Sequence, residues 1–215
     1  MTFSVDDFRA NGLIFGGARP SLFSIYVPGF PAGRQGQNTV ISRKLYFTAK
    51  AASLPPSNMD AIDIPYMSRS IKVNGDRTFG DWAITVMNDE DFSVRAALEE
   101  WHEAINSKEP NRQFAGGGGL VSSYKRNITV QQYGKTGIGE IVPGDVNFGQ
   151  DARPIRVYEL VGAFPTSIDA IGLDWGAKNE IETFDVNFAY DYWRLVGPVF
   201  GGGNVDYIDP TVFQT

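Results

Sequence analysis

After a turn at Gly176–Asn179, the chain from Leu173 to Trp193 alternates with a period of two. Glu182, Phe184, Val186, Phe188, Tyr190 and Tyr192 fall on one side, and all but the first are large and apolar or aromatic. Ile181, Thr183, Asp185, Asn187, Ala189 and Asp191 fall on the other, which is mostly small, polar or acidic. Successive side chains of a strand point to opposite faces, so the pattern predicts one long strand over 182–192 with a buried face and a wet face. Its length is about twice the common five or six residues. A long strand with a smooth, weakly acidic wet face suits the wall of a channel better than a binding pocket.

The same reading places other elements along the chain. Ser21–Val27 reads as a strand between Pro20 and Pro28, and Gly29–Ser42 as a long polar loop. Lys44–Ala51 reads as a strand with Leu45, Phe47 and Ala49 on one face, stopped by Pro55 and Pro56. Ile62–Pro65 and Ser70–Val73 read as short strands, with Gly75-Asp76 as a turn signal. Asp81–Asn88 alternates, with Trp82, Ile84 and Val86 on the core side. Asn88 then fits an N-cap, and Asp89, Glu90 and Asp91 place negative charge where a helix dipole favours it. Val94, Leu98, Trp101 and Ile105 form one helical apolar stripe. Arg112–Ser123 is a Gly-rich loop. Arg126–Tyr133 is a strand with Ile128 and Val130 inward, and Ile155–Phe164 is another. Pro165-Thr166-Ser167 leads into a short turn or helical piece over Ile168–Ile171. About seven strands, one good helix and no β-α-β alternation predict a mainly β fold: an antiparallel β-sandwich or barrel with one flanking α-helix. No internal repeat or domain boundary stands out, so residues 1–215 read as a single domain.

Composition narrows the chemistry. The chain has 215 residues, 42% of them hydrophobic, and no cysteine. Disulfides, thiol nucleophiles and cysteine metal sites are therefore excluded. No apolar run approaches the length of a transmembrane helix, and MTFSVDDFRANG has acids but no apolar core of a signal peptide. The formal net charge of −6, with basic residues scattered, does not suit binding through phosphates. Catalytic signals are weak. The single histidine, His102, lies outside the helix's apolar stripe, and no GxSxG accompanies it. Gly134-Lys135-Thr136 lacks the upstream glycine of a P-loop, since position 129 is Thr. Asp89, Glu90 and Asp91 lack the spacing of a calcium loop and read as helix-terminal charge. Trp82 and Trp101 fall in core positions, while Trp175 and Trp193 read as strand-end anchors. The glycine runs Gly116–Gly119 and Gly201–Gly203 read as connectors. No catalytic, cofactor-binding or metal residues are assigned, and no cofactor is expected.

Several blocks go further. VNGDRTFGDWAITVMNDED (Val73–Asp91) and the helix reaching Trp101 resemble the tail tube proteins of contractile-tailed bacteriophages of the T-even type (myoviruses). ARPSLFSIYV (Ala18–Val27), KAASLP (Lys50–Pro55) and ELVGAFPTSIDAIGLDWGAKNEIETFDVNFAYDYW (Glu159–Trp193) follow in the same order and spacing. The likeness covers a core of about 18–194. The regions near 29–42 and 112–123 depart from the family's compact pattern as loop insertions, and 195–215 as a C-terminal extension.

The resemblance implies a non-enzymatic structural protein of the virion, in the phage tail and assembled in the host cytoplasm. Such subunits form homohexameric rings whose inner strands join into one continuous barrel, and the rings stack into a tube. Implied partners are copies of the chain, the sheath protein, and the baseplate and tail terminator proteins. The tape measure protein and genomic DNA would occupy the lumen without sequence-specific binding. On this reading Thr183, Asp185, Asn187 and Asp191 are expected to face the lumen, with Ala83, Thr85, Asn127, Thr129 and Gln131 as weaker candidates; a solvated outer face is the alternative for each. Asp76, Arg77 and Asp81 are expected at a turn or a subunit interface. Two other readings stay open. One is the inner tube of a related contractile injection or type VI secretion-like system. The other is a carbohydrate-binding or hydrolytic β-sandwich of the baseplate.

Overall fold

A computed structural model describes residues 17–31, 38–109, 124–134 and 154–196. Nine strands and two helices occur among them. In order these are β1 (Phe23–Tyr26), α1 (Asn38–Thr48), β2 (Ala49–Ala52), β3 (Asn58–Tyr66), β4 (Arg69–Thr78), β5 (Trp82–Met87), α2 (Ser93–Ile105), β6 (Arg126–Tyr133), β7 (Pro154–Ile168), β8 (Thr183–Ala189) and β9 (Tyr192–Leu195). Residues group into two units. Of the described residues, the larger holds 24–31, 38–109, 124–130 and 158–194; the smaller holds 17–23, 131–134, 154–157 and 195–196. The main sheet runs β1-β6-β7-β8-β5-β2, with β9 also beside β7, and β3 and β4 form a separate two-stranded sheet. In the smaller unit, backbone bonds from Tyr133 N–H to Leu22 O and from Val196 N–H to Val157 O are present.

The core of the larger unit follows from alternation in the paired strands. Trp82 lies across from Phe188, Ile84 from Val186 and Val86 from Phe184 in the antiparallel β5–β8 pair. All these side chains are buried, and α2 covers them with Val94, Leu98 and Trp101. Phe188 packs on both Trp82 and Trp101, at ring-centroid distances of 5.7 and 6.0 Å. Each buried indole finds an acceptor, Trp82 in Ser53 O and Trp101 in Tyr124 O, as a polar tip inside an apolar core requires.

Several expected elements differ. Lys44–Ala51 is not a strand, and the loop expected over Gly29–Ser42 gives way to helix at its end: residues 38–48 form α1, and only Ala49–Ala52 is extended. Leu45 and Phe47 do alternate, but Ile41 and Leu45, four apart, are the buried pair and Phe47 is exposed. A spacing of four is a helical face. The described residues therefore hold two helices where one was expected. Helix α2 starts at Ser93, not at Asn88, and its N-cap position is Phe92 in the left-handed region. Asp91 still serves this end, because its carboxylate accepts the Ser93 N–H. The short strands at 62–65 and 70–73 are the parts nearest the turn of the longer β3 and β4. Pro165–Ser167 is a bulge inside β7, which runs on to Ile168, so no helical piece begins there. Proline has no N–H for the ladder, and a bulge is where that loss is tolerated. The long strand over 182–192 is two: β8 ends at Ala189 and β9 begins at Tyr192. β6 spans Arg126–Tyr133 as expected, with Ile128 and Val130 buried. The Gly-rich stretch 112–123, Gly201–Gly203 and Lys135-Thr136 lie outside the described residues.

Candidate functional site

The face of the main sheet opposite the core is built by the alternate positions of β5 and β8. Thr85 lies across from Asp185 and Ala83 from Asn187, with Met87 across from Thr183. On β7, Ser167 lies across from Asn187. The face is stitched by side chains: the Thr85 hydroxyl donates to Asp185 at 2.6 Å and the Asn187 amide donates to Ser167 Oγ at 2.8 Å. Cross-strand pairs of this kind hold a sheet's wet face in register. Thr183, Asp185 and Asn187, together with Ala83 and Thr85, thus share one polar surface. Asn127 is exposed on β6, where its amide donates to Glu159, and Thr129 is half-buried on the same strand. Gln131, in the smaller unit, accepts from the Tyr133 hydroxyl.

Asp191 does not extend the β8 row. It sits in the break before β9, and its carboxylate takes the Lys125 ammonium at 2.7 and 2.9 Å. The backbone makes room for this pair at Gly162, whose φ is 70°. A Cβ there would collide with the Asp191 carboxylate. The charge of Asp191 is therefore matched within the subunit, whereas that of Asp185 is met by a hydroxyl.

A second surface was not foreseen from the alternation. In the β3–β4 hairpin, Ile62 pairs with Val73, Ile64 with Ile71 and Tyr66 with Arg69. Paired residues share a face, so this one is apolar up to its tip. The other face carries Asp63 and Lys72, which form an ion pair at 2.8 Å. Yet the apolar face is uncovered: Ile62, Ile64, Tyr66, Ile71 and Val73 are 37–60% exposed. The signal was present in Ile62, Ile64 and Tyr66, but only Ile62–Pro65 was read as a strand. The turn is Met67-Ser68, both with positive φ (45° and 63°), as a two-residue hairpin loop demands. Gly75 and Asp76 mark instead an extra residue in β4 between Asn74 and Arg77. Gly75 fits there because a Cβ would press on Asp60 O at 3.1 Å. Asp76 and Arg77 are thus exposed strand residues rather than turn residues, and Asp81 is exposed in the link to β5. Burial, with the Asp81 carboxylate second, pushes the Tyr190 hydroxyl above its usual pKa.

A third exposed feature is the segment between β7 and β8. The Asp174 carboxylate accepts the Gly176 N–H and its carbonyl accepts the Ala177 N–H, so a small turn holds out Trp175. Trp175 is fully exposed, with Leu173 and Ile181 near it in sequence and also exposed. It anchors nothing within the subunit, contrary to expectation. Trp193 does act as an anchor, donating to Pro56 O. His102 is exposed on α2. No cluster of three metal-ligating side chains occurs among the described residues. Asp89 and Asp91 both grip Lys44 of α1.

The family described as "Phage tail tube protein" matches residues 18–196. The chain belongs to the phage tail tube protein family. It is a structural subunit of the phage tail tube, a component of the virion tail. It is similar to the tail tube protein gp19 of Enterobacteria phage T4, with 33% identity over 178 residues, covering 82% of this chain and 91% of that one. The tail tube protein of Serratia phage KSP90 is 23% identical over 149 residues, covering 69% of this chain and 73% of its own. Among solved structures, the fold resembles a chain in the sheath-tube complex of the PVC extracellular contractile injection system in its extended state. That match has a TM-score of 0.52 and 12% identity and covers 92% of this chain and all of that one. A chain in the tube-terminating cap of the anti-feeding prophage matches with a TM-score of 0.54 and 15% identity, covering 85% and 92%.

Proposed function

We propose that the subunits close into hexameric rings, that their sheets join into a continuous barrel, and that the rings stack into a conduit for DNA inside a contractile sheath. The polar face of β5 and β8, centred on the Thr85–Asp185 pair, is the observation that carries this reading. Among the described residues of the main sheet, it is a face not committed to the core. Strands β1 and β2 end the main sheet, and their outer backbone groups are edges that pairing with another copy removes. Ring closure needs a head-to-tail contact that closes; stacking adds one that does not, so a filament grows.

The wall then carries Thr183, Asp185 and Asn187, with Ala83 and Thr85 beside them. A DNA duplex presents one charge per about 1.7 Å of axis. A neutral or acidic wall forms no ion pairs with it, and salt limits repulsion to roughly 8 Å from the surface. Asp191 contributes less, because Lys125 already matches it. The sheath, baseplate, terminator and tape measure proteins are the remaining partners of this reading. Asp76, Arg77 and Asp81 belong to its subunit interfaces.

Two measurements test the proposal. Electron microscopy of the purified protein is expected to show rings or tubes; a persistent monomer at high concentration, with baseplate present, overturns it. Asp185→Lys is expected to leave tubes intact and slow DNA ejection, because each subunit now offers phosphate a cation. Unchanged ejection from fully assembled Asp185→Lys particles removes β8 from the lumen.

A further inference from the structure

The hairpin's apolar face needs a cover, and among the described residues outside the hairpin two segments each hold more than one exposed large apolar side chain. One is α1, with Val40 and Phe47 exposed. The other is the segment 169–182, with Leu173, Trp175 and Ile181 exposed. Charge separates them. The outer half of the hairpin, Ile64–Ile71, holds Arg69 and no acid. Helix α1 and the residues just after it hold Arg43, Lys44 and Lys50 with no acid from 38 to 50, and Lys44 is already paired with Asp89 and Asp91. Segment 169–182 holds Asp169, Asp174, Glu180 and Glu182 against Lys178 alone. The second place, net acidic in its own sequence, is the one that draws a cationic tip.

We infer that the Trp175 segment of one copy is the seat for the hairpin tip of another copy, with Trp175 against Ile64, Tyr66 and Ile71 and Arg69 among the acids. The inference rests on the self-assembly proposed above and assigns its residues. A fully exposed Trp on a hydrogen-bonded turn has the character of an interface hot spot: a large rigid anchor that costs little entropy to immobilise. Two different patches meet in this contact, so it is heterologous and propagates from copy to copy.

The cysteine-free sequence makes the test clean. Met67→Cys and Lys178→Cys are prepared as separate variants, mixed, assembled and treated with a bismaleimide. A cross-linked dimer that needs both variants is expected, and neither variant alone gives one. Trp175→Ala is expected to raise the protein concentration needed for assembly by about tenfold or more, the effect of losing a hot spot, with an unchanged circular dichroism spectrum. Arg69→Glu is expected to impair assembly, and Glu180→Arg added to it to restore assembly. Normal assembly of Trp175→Ala together with no mixed cross-link overturns the inference and leaves the ring-and-tube proposal standing. Failure of the unaltered protein to assemble at all overturns both.

Discussion

The β5–β8 and β3–β4 pairs are the same device used in opposite ways. Both are antiparallel, both alternate apolar with polar positions, and both set apolar residues directly across from each other. In β5–β8 the apolar side faces α2, and Trp82, Ile84, Val86, Phe184, Val186 and Phe188 are buried to within a few per cent. In β3–β4 the apolar side faces water. An isolated hairpin in water is marginal at best, so a ribbon of nine and ten residues with that side bare is a fold element awaiting completion. Alternation dictates that a strand has an apolar side; it does not say whether the same molecule covers it.

This contrast can be broken or sharpened by substitution. The largest effect is expected for Phe188→Ala, which opens a cavity between two Trp rings in a close-packed core. A loss of about 3–5 kcal/mol in chemical denaturation is the expected result, enough to threaten folding. A loss below about 1 kcal/mol would mean the covered pair is not the structural heart. Gly162→Ala comes next. It adds left-handed strain at φ 70° and displaces the Asp191 carboxylate from Lys125, for an expected cost of about 1–3 kcal/mol. Pairing Gly162→Ala with Asp191→Ala in a double-mutant cycle separates the two causes: relief of the clash shows as a cost well short of additive. Ile64→Ser in the hairpin is expected to change monomer stability by no more than about 1 kcal/mol, because its side chain is 47% exposed. Its effect falls on assembly, read as loss of sedimenting particles. A large drop in monomer stability would show that the ribbon is covered after all.

The smallest effect concerns pH. Asp91 is held down to about 2 by the Lys44 ammonium first and the Ser93 N–H second. A carboxyl depressed in the folded state contributes its stability above its ordinary value of 3.8, and that contribution is lost as pH falls toward about 2. Thermal unfolding of the protein is therefore expected to lose slightly more between pH 4 and pH 2 than that of Asp91→Asn. Parallel pH profiles would show that the Lys44 contact is cosmetic.

Much of the sheet was legible because its strands are half-buried. Trp82–Met87, Arg126–Tyr133 and Phe184–Tyr190 each write their buried side as every second residue. The break at Tyr190-Asp191 was not legible, since alternation continues straight through it; the turn is set by the pull of Lys125 on Asp191 and by the Asp191 N–H bond to Val161 O. Helix α1 was hidden because Leu45 and Phe47 fit the strand period, and only Ile41, placed in the expected loop, pairs with Leu45 at the helical one. The polar surface shared by Thr183, Asp185 and Asn187 followed from the same parity as the core. The hairpin face and Trp175 did not follow, because a search for buried positions passes over apolar residues that stay exposed in the subunit.

A greasy ribbon held out in solution also makes timing part of this subunit's design. Until a correct neighbour arrives, its edges and its Ile-rich side are available to any similar strand, including another misaligned copy. Newly made chains are safest when a growing end consumes them as fast as they are supplied, and stockpiled protein with no such end is the condition in which disordered clumping competes best.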